Sequence, residues 1–310
     1  MSKLKMEYIY QMPYDCINII CSMYNYAYSV SISCCHKNFK LFLTCRTTID
    51  RNYNLSISKF KSLEKLTLFE HDTNFDILQL HNVIHLDMNT NNTIDNINHL
   101  HHLKRLYLRN NLRIRNINNL TSLEELSIGF NFLIDNIDNL INLTKLNLGN
   151  SKIRSISTLT NLRKLRCHDN NIIDDINDLT KLTYLELNQN TKIMKIYSLI
   201  NLKCLYLGYN NRINQISSLI NLNELYLEKN NKIYNIDTLI NLRILYMGTN
   251  NNIISIIRLT KLRKLNLYFN NKINDISTLK RLNTLNLGTN KNIFNYESLR
   301  CLKKIYYYHV

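Results

Sequence analysis

Residues 202–221, LKCLYLGYNNRINQISSLIN, are one copy of a unit that recurs end to end from Leu63 onward. The step between units is twenty residues, except for a step of nineteen between Leu143 and Leu162. Numbering the leading residue of each unit as position 1, the units begin at Leu63, Val83, Leu103, Leu123, Leu143, Leu162, Leu182, Leu202, Leu222, Leu242, Leu262, Leu282 and Leu302. Such strict self-similarity predicts a solenoid in which each unit packs on its neighbours.

Apolar residues recur at the same six positions in most units, namely 1, 4, 6, 12, 15 and 18. In the quoted copy they are Leu202, Leu205, Leu207, Ile213, Ile216 and Leu219. Positions 4 and 6 alternate as in a strand that buries one face, so the pattern predicts one strand per unit and parallel pairing between units. About ten residues remain for the return path, which is too few for a full α-helix with its turns and favours an extended or 3₁₀ wall.

Position 9 is asparagine in almost every unit. The carboxamide of such a residue both donates and accepts hydrogen bonds, so it can satisfy backbone groups that the turn after the strand would otherwise leave unpaired. Ser151 replaces it in the nineteen-residue unit and His71 in the first. The predicted structural ladder consists of Asn91, Asn111, Asn131, Asn170, Asn190, Asn210, Asn230, Asn250, Asn270 and Asn290.

The pattern LxxLxLxxN followed by apolar residues at every third position resembles the leucine-rich repeat family, over about four fifths of the chain. It resembles the short-repeat branch, such as the bacterial internalins. The resemblance implies an α/β solenoid, a leucine-rich repeat horseshoe with a parallel concave β-sheet and an extended or 3₁₀ convex side. Residues 63–310 would hold about twelve units and a terminal partial unit, with residues 41–62 as a divergent first repeat whose strand contains Leu41 and Leu43.

Residues 1–40 lack the repeat and are predicted to form a small helical module. Pro13 suits the first position of a helix and Asp15 its positive end. Two apolar faces follow at helical spacing. They comprise Cys16, Ile17, Ile20, Cys21 and Tyr24, then Tyr28, Ile32, Cys35 and Phe39.

This segment resembles an F-box, the module by which substrate adaptors join cullin-type ubiquitin ligases. Pro13 and Asp15 match its opening motif, Ile20 its apolar run, and Lys37 with Phe39 its closing motif. The resemblance implies that these five residues bind the adaptor subunit of the ligase. The alternative is a helical cap on the first apolar edge of the solenoid, which repeat arrays require.

Composition narrows the class of protein. The 39 basic and 23 acidic side chains give a formal net charge of +16, which suggests an acidic partner. The eight cysteines show no metal or disulfide spacing, so we expect a reducing, intracellular and cytoplasmic location, with the nucleus still open. No run is apolar enough to cross a membrane. No catalytic motif or cofactor site is present, and a metal site at His81 and His101, both at position 19, lacks further ligands.

The concave face is the predicted binding surface, because positions 2, 3, 5, 7 and 8 point away from the core. Tyr107, Tyr206, Tyr226 and Tyr246 occupy position 5, and Arg243 and Arg263 occupy position 2. Tyrosine is enriched at interface hot spots, so these residues are predicted to contact a protein partner. Three functions follow: a substrate receptor of a ubiquitin ligase, a plain interaction scaffold, and nucleic-acid binding. Acidic residues that interrupt the basic positions make the last the least favoured.

Overall fold

The computed structural model describes residues 29–36, 39–46, 63–68, 70, 77–210, 212–294 and 296–307. The chain divides into two compact units, Met1–Asn142 and Leu143–Val310. The division falls at Leu143, where the nineteen-residue repeat begins.

In the first unit, the repeats contribute one short parallel strand each. Their bounds are β3 (Leu63–Thr67), β4 (His85–Asp87), β5 (Arg105–Tyr107) and β6 (Glu125–Ser127), after an earlier pair, β1 (Ser29–His36) and β2 (Phe39–Arg46). The order across this sheet is β2-β1-β3-β4-β5-β6. Neighbouring repeat strands pair in register at a separation of twenty residues, as Leu86 does with Leu106.

The second unit continues the same architecture with nine parallel strands among its described residues. They are β7 (Lys145–Asn147), β8 (Lys164–Arg166), β9 (Tyr184–Glu186), β10 (Cys204–Tyr206), β11 (Glu224–Tyr226), β12 (Ile244–Tyr246), β13 (Lys264–Asn266), β14 (Thr284–Gly288) and β15 (Lys304–Tyr307). Each strand pairs with the next along the chain, in order from β7 to β15. Backbone hydrogen bonds between neighbouring repeats continue past the strand ends. For example, the amide of Leu207 donates to the carbonyl of Tyr226 at 2.8 Å.

The core lies between the sheet and the return path of each unit. In residues 202–221 all six apolar positions are at most 1% exposed. The middle residue of each three-residue strand, position 4, is buried, whereas positions 3 and 5 on either side are partly or largely exposed. The alternation predicted from the sequence is therefore present, and position 5 points away from the core.

The return path consists of turns rather than helix. The amide of position 18 donates to the carbonyl of position 15, as Leu219 does to Ile216 at 3.0 Å, and position 1 then donates to position 18. These are i to i+3 bonds of the 3₁₀ type. Among the described residues the helical segments are the short 3₁₀ helices Ile77–Gln79 and Tyr296–Ser298. The extended or 3₁₀ wall expected from the repeat length is thus observed.

The prediction of a second N-terminal helix is wrong. Its proposed apolar face consisted of Tyr28, Ile32, Cys35 and Phe39. Residues 29–36 and 39–46 form an antiparallel pair, β1 and β2, with His36 opposite Phe39. The stretch SVSISC alternates serine with Val, Ile and Cys. That period of two and its β-branched residues favour a strand, and the helical spacing of four was the weaker signal.

β2 also differs from the expected first repeat. It contains Leu41 and Leu43, as predicted, but pairs antiparallel with β1 and has no parallel partner among the described strands. β1 in turn pairs antiparallel with β3, so the edge of the first repeat strand is covered by a strand. Pro13, Asp15, Ile20 and Lys37, with the first predicted helix, lie outside the described residues. In the described part of the chain, the helices fall short of the length and apolar character needed to cross a bilayer.

Candidate functional site

Three tyrosines lie side by side on the sheet surface that faces away from the core, here called the open face. Tyr206, Tyr226 and Tyr246 hold position 5 on β10, β11 and β12, and the parallel register aligns each with the next. Their neighbours at positions 4 and 6 are buried, so the rings point outward. Strand spacing of about 4.8 Å then brings adjacent rings into contact.

The rings form a stack, which we call the tyrosine strip. The centroids of Tyr206 and Tyr226 lie 4.0 Å apart with an interplanar angle of 5°, and those of Tyr226 and Tyr246 lie 4.9 Å apart at 28°. All three side chains are partly exposed. The strip therefore offers a continuous aromatic surface with polar tips.

One carboxylate anchors the middle of the strip. The Tyr226 hydroxyl donates to Oε2 of Glu224 at 3.1 Å, and the Cys204 thiol donates to the same oxygen at 3.6 Å. Burial, the neighbouring Tyr206 and Glu224 raise the pKa of Tyr226 above its ordinary value, and burial also raises the pKa of Tyr206. The hydroxyls are protonated at neutral pH and remain hydrogen-bond donors.

A charged cluster borders the strip on the β8–β9 side. The Tyr184 ring lies 5.6 Å from that of Tyr206, and Lys164 Nζ sits 4.4 Å from the Tyr184 centroid. Arg166 pairs with Glu186 at 3.2 Å, and the Tyr184 hydroxyl donates to Glu186 at 3.1 Å. Burial raises the pKa of Tyr184 to about 12. This cluster was not predicted from the sequence, although its residues share positions 3 and 5 of adjacent repeats.

On the other side of the strip the open face becomes basic. Arg243 and Arg263 lie at position 2 on adjacent units, both exposed, and with Lys264 and Glu224 they line a depression of about 350 Å³. A second depression, of about 590 Å³, continues toward β15. The compact unit Leu143–Val310 thus brings its predicted partner-binding residues together on one surface. They are Tyr206, Tyr226, Tyr246, Arg243 and Arg263.

Tyr107 lies in the other compact unit, Met1–Asn142, and its neighbours differ from those of the tyrosine strip. Its hydroxyl donates to Glu125 Oε1 at 2.8 Å, and its ring centroid lies 5.3 Å from that of His85. Burial and the Glu125 bond raise the pKa of Tyr107 to about 12, and burial with Arg105 lowers the pKa of His85. Tyr107 is held by these local contacts.

The asparagines at position 9 are buried and bonded to backbone. Asn250 is representative: its Nδ2 donates to the carbonyls of Asn230 at 2.6 Å and Ile233 at 3.0 Å. Its Oδ1 accepts from the amides of Asn252 and Ile253 at 3.0 and 3.1 Å. The carboxamide thus closes its own turn and joins it to the preceding unit, which is a structural role.

Two further ladders were not recognised in the sequence. Asparagines at position 20 donate to the position-19 carbonyl of the preceding unit, as Asn221 does to Ile200 at 2.9 Å. Hydroxyl groups at position 17 donate to the position-16 carbonyl of the preceding repeat, as Ser218 does to Tyr197 at 2.9 Å. The recurrence of Asn at position 20 and of Ser or Thr at position 17 was the available signal.

His81, one of the two position-19 histidines of the metal site considered from the sequence, contacts a histidine at position 17 of the next repeat. His81 packs edge to face against His99, with ring centroids 5.8 Å apart, and His99 is bonded to the Ile77 carbonyl at 2.9 Å. Within the described ranges no cluster of three or more His, Cys, Asp or Glu side chains could hold a metal ion. Cys167 is fully buried, which raises its thiol pKa to about 12.

Comparisons with known proteins agree with this architecture. A family model described as Leucine Rich repeats (2 copies) matches residues 141–181. An internalin of Listeria monocytogenes is 28% identical, with 81% of this chain and 83% of that chain covered and a TM-score of 0.63. A leucine-rich repeat protein of Leptospira interrogans is 25% identical, with coverage of 82% and 75% and a TM-score of 0.64.

A complex of TLR13 with ssRNA13 shares the fold, at 24% identity, coverage of 81% and 43%, and a TM-score of 0.55. No curated protein matches the chain. The repeat pattern, the parallel solenoid and the two bacterial structures together show that this chain is similar to leucine-rich repeat proteins.

Proposed function

We propose that this chain is a protein-interaction scaffold that binds its partner through the tyrosine strip. The observation that supports the proposal best is the ordered stack of Tyr206, Tyr226 and Tyr246 on the open face. Leucine-rich repeat proteins are typically non-enzymatic scaffolds, and a repeat array presents an extended surface to another macromolecule.

The physical argument rests on what the strip exposes. Each ring contributes apolar area, and few rotamers are lost on binding because neighbouring rings already hold it in place. The hydroxyl tips supply directional hydrogen bonds. Cross-strand packing alone would also stabilise the sheet, by about 0.2–1 kcal/mol per pair. Binding therefore needs a test that separates it from folding.

Recruitment of a ubiquitin ligase remains a second hypothesis, based on the F-box resemblance at Pro13, Asp15, Ile20 and Lys37. The strands β1 and β2 weigh against it, because the F-box is helical and Phe39 begins β2. Capture of purified ligase adaptor by the intact protein, lost in Pro13→Ala with Ile20→Ala, would support it. Failure of the intact protein to capture adaptor would remove the hypothesis and leave the scaffold proposal intact.

The test of the scaffold proposal compares two variants in quantitative capture of interacting proteins from the source cell. In the first, Tyr206, Tyr226 and Tyr246 are changed to Ala. In the control, Tyr197 and Tyr234, which are 57% and 61% exposed on the return path, are changed to Ala. Each hot-spot truncation costs about 2 kcal/mol or more, so the strip variant should lose at least 30-fold in partner affinity.

The control variant should capture the same partners as the wild type, since its tyrosines lie off the open face. Circular dichroism and urea unfolding of each variant establish that it is folded. Equal capture by a folded strip variant and by the wild type would refute binding at the strip.

A further inference from the structure

We propose, building on the scaffold function above, that the open face of β12–β15 binds an extended acidic segment of the protein partner. The residues that would hold it are Arg243, Arg263, Lys264, Lys303 and Lys304, here called the basic groove. The tyrosine strip would contact apolar parts of the partner, and the groove would select for carboxylates.

The groove consists of two adjacent depressions. The depression of about 350 Å³ is lined by Arg243, Arg263 and Lys264, and the one of about 590 Å³ by Lys264, Lys303 and Lys304. The two share Lys264 and Asn283 along their common border. Tyr246 and Tyr306 also line the larger depression, so aromatic surface adjoins the cations.

The described residues give the five cations no ion-pair partner, although Glu224 lines the same depression as Arg243 and Arg263. In the repeats that begin at Leu242, Leu262, Leu282 and Leu302, the open-face positions contain no aspartate or glutamate. Among the described residues none of the five forms an ion pair, whereas in other repeats Arg166 pairs with Glu186 and Lys104 with Glu124. Like charges this close repel one another, and carboxylates from a partner would relieve that repulsion.

The dimensions fit a short peptide. Four parallel strands at about 4.8 Å spacing span about 14 Å, which an extended chain covers with about four residues. Arg243 and Arg263 sit one strand apart at the same position, so consecutive carboxylates on one face of the peptide could reach both. Arginine binds a carboxylate through two parallel hydrogen bonds, which gives this end of the groove its selectivity.

An acidic peptide fits the surface better than a nucleic acid. Glu224 lines the groove on the strip side, and Glu186 lies two strands further along the open face. A phosphate backbone that continued past the four strands would meet both carboxylates. A four-residue acidic segment that spans β12–β15 ends beside Glu224 and does not extend to Glu186.

Fluorescence anisotropy tests the proposal with two labelled peptides, Glu-Leu-Glu-Leu-Glu-Leu-Glu and the same sequence with Gln in place of Glu. The wild type should bind the Glu peptide at least tenfold more tightly than the Gln peptide. The variant Arg243→Gln, Arg263→Gln, Lys264→Gln should lose about tenfold or more, because exposed charge pairs contribute modestly and three are removed.

The matched control is Lys192→Gln, Lys232→Gln, Lys272→Gln. These lysines are exposed at position 11, off the open face, and their replacement changes the net charge by the same amount. The control should bind the Glu peptide as the wild type does. An equal loss in both variants would mean that only overall charge matters, and equal binding of the Glu and Gln peptides would also overturn the proposal.

A labelled ten-nucleotide thymidine strand serves as the competing ligand. If it binds more tightly than the Glu peptide and depends on the same three residues, the groove is a nucleic-acid site and the proposal is wrong. The strip variant separates the two proposals. If it loses the partner but still binds the Glu peptide, both stand; if it keeps the partner while the groove variant loses the peptide, the strip proposal alone fails.

Discussion

Asn250 shows how a single side chain joins two neighbouring repeats. It makes two hydrogen bonds to carbonyls of the preceding unit and accepts two from its own turn, while its exposed fraction is zero. Replacing it would leave four backbone groups without these partners in a site that excludes water.

We therefore expect Asn250→Ala to lower the free energy of unfolding by about 1–3 kcal/mol, measured by urea titration followed by circular dichroism. Asn214→Ala is the control, because Asn214 is exposed on the return path. Its effect should stay within about 0.5 kcal/mol. Equal effects of the two substitutions would contradict the structural role of the buried carboxamide.

The thiol of Cys204 is expected to react slowly with alkylating reagents near neutral pH. Burial, followed by the Glu224 carboxylate, raises its pKa to about 12, so the thiolate that reacts with alkylating reagents is scarce at pH 8. Iodoacetamide should label Cys204 more slowly than the exposed Cys301, and the rate should rise as the pH approaches 12. Peptide mass mapping measures both rates.

Glu224→Gln removes a charge that raises the Cys204 pKa. The pKa should fall, and labelling of Cys204 at pH 8 should become faster, while Cys301 keeps its rate. Labelling of Cys204 that is unaffected by this substitution would show that the carboxylate does not act on the thiol.

The outward direction of Tyr206, Tyr226 and Tyr246 could be predicted from the sequence, because positions 4 and 6 are apolar and position 5 lies between them. The near-parallel stack of two of the rings, and the bonds to Glu224, could not. Those depend on side-chain rotamers, which the register of a repeat does not specify.

The turn that follows each strand accommodates the left-handed backbone in two ways. In several units a residue at position 8, such as Tyr209 with φ of 60°, adopts it. In others position 7 does, as at Gly248 with φ of +52°. A Cβ at Gly248 would approach Glu228 Cα to 2.5 Å, a backbone atom that cannot move aside.

Gly248→Ala should accordingly destabilise the protein by about 2 kcal/mol or more, from left-handed strain and the backbone clash. Gly208→Ala is the matched control at the same position of another unit. There the added Cβ would meet side-chain ends, Glu228 Oε2 at 2.6 Å and Asn188 Oδ1 at 2.9 Å, which can rotate away. Thermal unfolding should give a clearly lower midpoint for Gly248→Ala, and the reverse order would contradict the turn geometry.

The repeat strands and return path were predictable because the same pattern recurs and each copy supports the same interpretation. The N-terminal pair β1 and β2 was not, since it occurs once. Its sequence satisfies a helical spacing at Tyr28, Ile32, Cys35 and Phe39 as well as strand alternation. Pairing with β3 is a long-range contact that local periodicity does not contain.

For the whole molecule, function depends on bringing together residues that lie twenty apart in sequence. The compact unit Leu143–Val310 brings such residues together on its open face, where the tyrosine strip adjoins the basic groove. The excess of 39 basic over 23 acidic side chains predicted an acidic partner only in general terms. The structure adds where unpaired cations collect, which composition alone does not indicate.

The most direct measurement of the central claim is photo-crosslinking with p-benzoylphenylalanine placed at Tyr226, in the centre of the strip, or at Tyr234, on the return path. Irradiation of the protein with its captured partner should give a covalent adduct from position 226 and none from position 234. An adduct from position 234 alone, or none from position 226 while the partner stays bound, would contradict binding at the tyrosine strip.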